Sequence, residues 1–407
     1  MINDSGAIEN INLRNKAIEL TQDLIRFPSI TPDDAGSFDF MVDHLVSLGF
    51  DCQEVTRQGV RNLIATQSFG EGETLAFAGH LDVVPAGPAK LWRCAPFSGN
   101  IIDERLYGRG AADMKGAIAC FIAAIESVLE QCCRGTLMLL ITCDEEGDAD
   151  HGTAAMMEYL HATEGAYLPD YCLVGEPSSK KTLGDTIKIG RRGAISAQIK
   201  IYGHQGHVGY PADCENAAHY TVELSKKLLD LEWDTGTEKM PGTSLQITQL
   251  NTGEFVDNVV PGVTVLCFNI RYSSKYDEYE LKRIINGVLG SFDFKYDIKW
   301  EKSCIPYFNF AEDFVATVSK AISNIAGIWP ELTSDGGTSD GRFIASELTR
   351  VIEFGLKNDT IHQVNESVTL SDLENLAQIY QSVISSFCLD ASLPGAFEQT
   401  EVCAIAV

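Results

Sequence analysis

The feature that most restricts the fold is a series of apolar, strand-like segments that alternate with helical ones. Thr136–Thr142 (TLMLLIT) is a continuous apolar run, which is typical of a strand buried on both faces of a sheet. Thr74–Gly79 and Tyr171–Val174 also have strand character, and the apolar helical segment Lys115–Glu130 lies between the first two strands. This alternation predicts an α/β domain with a mostly parallel central sheet.

The pattern changes near Ile187, where strands and helices occur in the proportion of a small α+β domain. The α/β pattern resumes at about Pro306, with a strand expected at Arg350–Phe354. A chain of 407 residues is long enough for two domains. We therefore expect a small domain inserted into the larger one, with strands and helices at Ala194–Tyr202, Glu215–Leu231, Ser244–Leu250, Val263–Tyr272 and Tyr279–Leu289.

Charge and cysteine content narrow the class of protein. The 31 basic and 57 acidic residues give a net charge of −26, which argues against nucleic acid or an anionic membrane surface as a partner. The twelve cysteines form no C-x-x-C pair, and neither a secretory signal nor a membrane-length apolar run is visible. We expect a reduced protein of the cytoplasm.

The strand Thr74–Gly79 ends in His80-Leu81-Asp82. Ligands of open α/β sheets gather at the carboxyl ends of the strands, so this position suits a functional site. Residues two apart on an extended chain face the same side, and His80 and Asp82 could therefore present an imidazole and a carboxylate to one point. The carboxylate could instead hold the imidazole in the tautomer that binds a metal.

A glycine-rich segment, YGRGAADMKG, precedes the apolar helix and contains Asp113. Glycines at this density let the backbone approach a ligand closely. Taken alone, Asp113 is better explained as the N-cap of the helix, because aspartate often fills that position. The spacing of a phosphate-binding P-loop is missing.

Acidic residues follow two further strands. Thr136–Thr142 is followed by Asp144, Glu145 and Glu146, and Tyr171–Val174 is followed by Glu176. Acids at the end of an apolar strand are costly to bring together unless a cation neutralises them, although a solvated acidic loop is the simpler explanation. Late in the chain, the segment IHQVNE supplies His362.

Taken together, these residues favour a metal site. Imidazole and carboxylate ligands suit Zn²⁺, whose catalytic sites keep one position open for water. Two such ions about 3.5–4 Å apart would share a bridging carboxylate and activate one water. Of the two neighbouring glutamates, one could ligate and the other could act as general base.

The segments HLDVVP, YGRGAADMKG, DEEG, VGEPS and IHQVNE, in this order over about residues 15–388, resemble the dinuclear zinc aminoacylase and carboxypeptidase family. The resemblance implies two Zn²⁺ ions, with Co²⁺ possible in one site. It assigns His80 and Glu176 to one ion, Glu146 and His362 to the other, and Asp113 to both, with a cis peptide bond after Asp113. Asp82 would orient His80, and Glu145 would be the general base.

The same resemblance implies the domain organisation. Residues 1–189 and 305–388 would form the α/β catalytic domain, and residues 190–304 would form an inserted α+β dimerisation domain that acts as a lid. A homodimer through this inserted domain is expected. Residues 389–407 are expected to be a C-terminal tail that lies outside the resemblance.

Finer features are similar to the branch of the family that removes a succinyl group from an amine. They are the segments KIGRRG, GHQGHVGYP, NVVPG and GGTSDGRF, together with Glu176, where many relatives carry aspartate. The implied substrate is N-succinyl-L,L-2,6-diaminopimelate. His207 would polarise its scissile carbonyl across the dimer, and the expected substrate contacts are Arg191, Tyr210, Asn258, Gly337, Thr338 and Asn358. Asn358 lies in a loop, Lys357-Asn358-Asp359, that departs from the family pattern.

Two other functions stay open at this stage. An N-acyl amino acid hydrolase such as an acetylornithine deacetylase, or a metallocarboxypeptidase, would use the same metal site and differ only in its substrate contacts. A non-catalytic binding protein on the same scaffold should have lost the base or a ligand, whereas Glu145 and all five ligands are present.

Overall fold

The computed structural model describes residues 4–308 and 311–389, with side chains from residue 11 onward. The chain forms two compact units. The first unit contains the residues up to Ile189, residues 311–332 and the residues from Ser339 onward. The second unit contains Gly190–Phe308 and Thr333–Thr338. Apart from Leu389, the predicted C-terminal tail lies outside the described residues.

The helices are α1 (Asp4–Ile25), α2 (Ser37–Ser47), α3 (Gly116–Val128), α4 (Thr153–Ala162), α5 (Ala217–Leu229), α6 (Glu278–Leu289), α7 (Glu312–Ala326), α8 (Gly341–Ile344) and α9 (Leu370–Cys388). The strands are β1 (Asp51–Arg57), β2 (Val60–Ser68), β3 (Thr74–His80), β4 (Asn100–Ile102), β5 (Arg105–Tyr107), β6 (Thr136–Thr142), β7 (Tyr171–Val174), β8 (Thr186–Lys188), β9 (Gly190–Arg191), β10 (Gly193–Tyr202), β11 (Gly206–His207), β12 (Ser244–Asn251), β13 (Val259–Val260), β14 (Val263–Tyr272), β15 (Lys295–Trp300), β16 (Tyr307–Phe308), β17 (Glu331–Thr333), β18 (Arg350–Glu353) and β19 (Ser367–Thr369).

The large sheet of the first unit has the order β1-β2-β6-β3-β7-β18-β8-β17. Its four central strands, β6, β3, β7 and β18, are parallel. The pairs β1–β2, β2–β6 and β18–β8 are antiparallel. A short turn at Gln58-Gly59, with φ of 51° and 88°, joins β1 to β2 and allows only an antiparallel pair. The predicted mostly parallel arrangement is confirmed at the centre of a sheet that is mixed overall.

Strand β6 is buried at every residue, as its apolar sequence predicts, and its bounds are those expected. Helices α1, α3 and α9 pack against one another beside the sheet. The ring of Phe77 on β3 stacks on Phe121 of α3 at 4.3 Å between centroids and meets the edge of Tyr380 of α9 at 5.7 Å. These aromatic contacts fix α3 and α9 against the strand that ends at His80.

The second unit contains a four-stranded antiparallel sheet of order β12-β14-β10-β15. Along β14, buried residues alternate with more exposed ones, so one face of the sheet is covered. Helices α5 and α6 belong to the same hydrophobic core, which includes Leu224, Leu228, Leu281 and Ile285. The second unit thus combines an antiparallel sheet with helices that share its core.

The boundaries of the second unit differ from the expected range of 190–304. Residues up to Phe308 belong to it because β16 pairs with β9 in an antiparallel ladder. Residues 333–338 also belong to it, and Ser334 Oγ donates a hydrogen bond to the backbone oxygen of Lys239 at 2.6 Å. The family resemblance placed both segments in the catalytic domain, whereas the contacts that assign them to the second unit join residues that are distant in the sequence.

In the described part of the chain, no helix combines the length and the apolar character that a membrane crossing needs. The cysteines described by the structure are free thiols, and Cys120, Cys143, Cys172 and Cys388 are buried.

Candidate metal centre

Three parallel neighbours of the large sheet deliver most of the candidate ligands to one edge. His80 is the last residue of β3, Glu145 and Glu146 follow β6, and Glu176 follows β7. In register, His80 lies beside Thr142 of β6, and Ala78 lies beside Val174 of β7. Because parallel strands end at a common edge, these side chains converge there.

The small sheet of order β19-β5-β4 brings in the remaining two candidates. Strand β5 leads into the segment that carries Asp113, and β19 follows the loop that carries His362. The antiparallel pairing of Tyr107 with Ser367 places these two segments side by side. His362 itself has a left-handed backbone with φ of 58°, a conformation that non-glycine residues seldom adopt outside functional or turn positions.

Asp113 connects the two histidines. Its Oδ1 lies 3.2 Å from Nε2 of His80, and its Oδ2 lies 3.3 Å from Nε2 of His362. Asp113 is not the N-cap of α3; that position is occupied by Lys115, whose side chain does not cap the helix. The peptide bond between Asp113 and Met114 is cis, as the resemblance implied. One carboxylate thus faces two imidazoles, which is the arrangement of a bridging ligand.

The glutamates complete the cluster around these residues. Glu146 Oε1 lies 3.0 Å from Nε2 of His362, whereas Glu176 Oε1 and Glu145 Oε2 lie 3.7 and 3.9 Å from Nε2 of His80. Ligand atoms of His80, Asp113 and Glu146, and those of His80, Glu145 and Glu176, fall into two overlapping groups, each within 4.8 Å. Glu145 is therefore close enough to be a ligand as well as a base.

The electrostatics of the cluster favour a bound cation. Burial raises the pKa of Glu176, and the carboxylates of Asp113 and Glu145 raise it further. Burial likewise raises the pKa of Glu145. Burial acts in the same direction on Asp113, but hydrogen bonds with His362 and His80 outweigh it and lower the pKa of this carboxyl. A divalent cation would remove the mutual repulsion of these buried carboxylates, so the donor set fits a dinuclear metal site.

Asp82 is fully buried behind His80, but its contacts differ from the expected ones. Nδ1 of His80 donates to the backbone oxygen of Asp82 at 2.9 Å, while the nearest carboxylate oxygen is 3.6 Å away. The carboxylate accepts the backbone N–H groups of Glu145 at 3.4 Å and Glu146 at 3.0 Å. Asp82 therefore holds the chain that carries both glutamates, in addition to any role toward His80.

The glycines before Asp113 lie close to other parts of the protein. A Cβ atom on Gly108 would lie 2.5 Å from a side-chain carbon of Ile25. Gly110 has φ of 89°, and a Cβ there would meet Val83 at 2.8 Å. The glycines are needed for close packing and for the turn.

His207, Tyr210 and Asn258 are brought together in the second unit. His207 pairs with Val259 across β11 and β13, and its ring lies 5.6 Å from that of Tyr210. The backbone oxygen of Asn258 accepts a hydrogen bond from Val208 at 3.1 Å. All three candidate residues are exposed.

Arg191 and the segment containing Gly337 and Thr338 are also neighbours within the second unit. Arg191 is buried, and its Nη1 donates to the backbone oxygen of Asp335 at 3.2 Å. A Cβ on Gly337 would meet nothing within 4 Å, so its backbone is open to approach. Asn358 belongs to the first unit, where its backbone N–H donates to Ser179 at 3.0 Å.

Two buried charged residues of this centre received no role from the sequence. Arg109 and Glu366 form an ion pair of 2.6 Å beside Asp113. Both stand inside segments that the sequence analysis singled out, YGRG and IHQVNE. The presence of these charged residues in the two motifs was the available signal.

Comparison with known proteins agrees with this geometry. The model of Peptidase family M20/M25/M40 matches residues 76–386. A succinyl-diaminopimelate desuccinylase 2 from Shewanella loihica is 44% identical over 377 residues, which cover 90% of this chain and 98% of that protein. Further relatives named succinyl-diaminopimelate desuccinylase are 41–43% identical.

Solved structures show the same fold at low identity. An M20 family metallo-carboxypeptidase from Sulfolobus solfataricus has a TM-score of 0.77 at 16% identity, with 91% of this chain and 98% of that chain covered. A dinuclear metal binding peptidase of the M20 family from Bacillus subtilis has a TM-score of 0.64 at 14% identity, with 91% and 98% covered. The chain belongs to Peptidase family M20/M25/M40, and it is similar over nine tenths of its length to succinyl-diaminopimelate desuccinylases.

Proposed function

We propose that this protein hydrolyses the amide bond of N-succinyl-L,L-2,6-diaminopimelate and releases succinate and L,L-diaminopimelate. This reaction would serve bacterial lysine and peptidoglycan precursor biosynthesis, in the cytoplasm. The observation that carries the proposal is the position of Asp113, whose two carboxylate oxygens face His80 and His362. The names of the relatives at 41–44% identity support the substrate.

The proposed cofactor is a pair of Zn²⁺ ions, with Co²⁺ able to replace one of them. His80 and Glu176 would hold one ion, Glu146 and His362 the other, and Asp113 both. Imidazole nitrogen and carboxylate oxygen are the ligands that zinc accepts in catalytic sites. When bound, the two ions would supply a water of lowered pKa and a Lewis acid for the scissile carbonyl.

Glu145 is the proposed general base. It takes a proton from the attacking water and returns it to the departing amine, so that one carboxylate serves both steps. Burial raises the pKa of this carboxyl, because its charged form loses solvation. Asp82 holds the backbone of Glu145 and thereby the direction of this side chain.

His207 is the proposed donor to the carbonyl oxygen as negative charge develops on it. Nδ1 of His207 accepts a hydrogen bond from the backbone N–H of Gly209 at 3.0 Å. In the neutral ring the proton is then on Nε2, which is free to serve as the donor. In the proposed homodimer, His207 would act across the subunit boundary when the second unit closes as a lid.

Specificity is proposed to reside in Arg191, Tyr210, Asn258, Gly337, Thr338 and Asn358. The substrate carries several carboxylates, and the planar guanidinium of Arg191 can bind one of them through two parallel hydrogen bonds. The tyrosine, asparagine and threonine side chains offer further polar contacts.

The homodimer is proposed to form through the second unit. Strand β12 is an edge strand of its sheet, and edge strands present backbone groups that can pair with a second chain. Leu250 at the end of β12 is 58% exposed, and Phe255 in the following loop is 92% exposed. Sedimentation velocity should give the mass of a dimer for the wild type and that of a monomer for Phe255→Asp combined with Leu250→Asp.

The test of the proposed reaction measures succinate release from N-succinyl-L,L-diaminopimelate, with N-acetyl-ornithine assayed in parallel. Each substrate is offered to the purified protein, to the chelated protein and to the chelated protein with zinc restored. We expect succinate release that is lost on chelation and recovered with zinc. Cleavage of acetyl-ornithine alone would retain the metal chemistry but reject the substrate. Two bound zinc ions without cleavage of either compound would reject the proposed reaction.

A further inference from the structure

Glu366 is a charged residue that the proposed mechanism leaves without a function. Its side chain is fully buried, with 0% exposure, four residues after His362 and directly before β19. Burying a carboxylate is costly unless hydrogen bonds and an opposite charge compensate it. The contacts that compensate the cost of burying Glu366 therefore indicate the function of this residue.

Both carboxylate oxygens of Glu366 point at the turn that carries Asp113. Oε1 accepts the backbone N–H groups of Ala112 at 2.9 Å and Asp113 at 3.1 Å. Oε2 accepts the N–H of Gly110 at 3.1 Å and Nη1 of Arg109 at 2.6 Å. Four donors match the four lone-pair positions of an ionised carboxylate, so this contact set needs a glutamate and no neutral residue can reproduce it.

These contacts tie three segments of the candidate metal centre together. Glu366 is on the same loop as His362, and its backbone oxygen accepts the N–H of Gly108 at 3.0 Å. Arg109 extends the connection, because its Nη2 donates to the backbone oxygen of Pro85, in the segment that follows His80, at 3.3 Å. Its guanidinium also lies 5.5 Å from the ring centroid of Trp92.

We propose that Glu366, paired with Arg109, is a positioning residue that fixes the backbone of Asp113 relative to His362 and so sets the separation of the two metal positions. The inference rests on the ligand roles proposed above. One carboxylate can bridge two ions only when its two oxygens reach both ions at once. A small shift of the Asp113 backbone would therefore weaken the binding of both ions. Residues that orient metal ligands typically contribute a factor of about 10–100 to metal affinity or activity.

The test compares Glu366→Gln with Glu366→Asp and with the control Glu347→Gln, which changes an exposed glutamate. Glutamine keeps the size of the side chain, but its amide nitrogen must face an N–H donor. Aspartate keeps the charge opposite Arg109 and is expected to fold even if the glutamine variant does not. The measurements are zinc affinity by competition with a chelating dye, the absorption spectrum of the Co²⁺-substituted protein, and kcat and KM.

We expect Glu366→Gln to bind zinc about 10–100-fold more weakly, to alter the Co²⁺ spectrum, and to lower kcat with little change of KM. Glu366→Asp should recover part of each loss, and Glu347→Gln should behave as the wild type. A purely structural role would lower the melting temperature while leaving zinc affinity and the Co²⁺ spectrum of the folded variants unchanged, and that result would overturn the inference. A wild-type protein that binds no pair of ions would instead reject the proposed function, and this inference with it.

Discussion

Glu145 and Glu146 are adjacent in the chain and similar in chemistry, yet the proposed mechanism gives them different tasks. Glu146 lies 3.0 Å from Nε2 of His362 and is a proposed ligand, whereas Glu145 lies 3.9 Å from Nε2 of His80 and is the proposed base. Glu145→Gln and Glu146→Gln are therefore a matched pair. Each variant keeps the side-chain volume and the backbone N–H that donates to Asp82.

The expected magnitude follows from what the Glu145→Gln variant removes. Packing and the contact with Asp82 are retained, so the loss is that of a proton acceptor alone, worth about 10²–10⁴ in kcat. This corresponds to about 3–5 kcal/mol of transition-state stabilisation at 1.36 kcal/mol per tenfold. Zinc content should stay at two ions per chain. Glu146→Gln should instead lower the zinc content to about one ion per chain, because a ligand is lost.

The assay combines zinc content, measured by atomic emission after dialysis, with kcat and KM for succinate release. If Glu145→Gln loses zinc as Glu146→Gln does, Glu145 is a ligand and the assignment of the base is wrong. If kcat of Glu145→Gln falls less than tenfold while zinc is retained, another group removes the proton.

Two further predictions concern stability. Phe77→Ala removes a fully buried ring that contacts Phe121 and Tyr380. We expect this substitution to lower the free energy of unfolding by about 3–5 kcal/mol, measured in urea titrations followed by circular dichroism. A change below about 1 kcal/mol would contradict the packing described. Zinc added to the chelated protein should stabilise it by about 2.7 kcal/mol for each site at 100 times the dissociation constant of that site, because the ions bind the folded state only. A melting temperature independent of zinc concentration would show that the clustered carboxylates do not bind the ion.

The predictions from sequence were most accurate where a local pattern carries the information. The bounds of β6, β7 and β14 are those expected, since an uninterrupted or alternating run of apolar residues marks a strand directly. In contrast, α2 and β1 were not identified. Strand β1 lies at the edge of the sheet and is largely exposed, so hydrophobic burial does not impose a pattern on it.

The sequence by itself determined the identity of the ligand candidates, because each follows a strand or stands in a recognisable motif. The contact of Asp113 with both His80 and His362 was implied by the family resemblance, and the structure contains it. Only the tertiary structure decided that the carboxylate of Asp82 accepts the backbone N–H groups of Glu145 and Glu146. The same holds for Glu366, which binds a turn more than 250 residues away in sequence. The periodicity of the sequence indicates which segments form helices and strands. The contacts named above depend instead on which strands become neighbours in the sheet, and the packing of the whole unit decides that order.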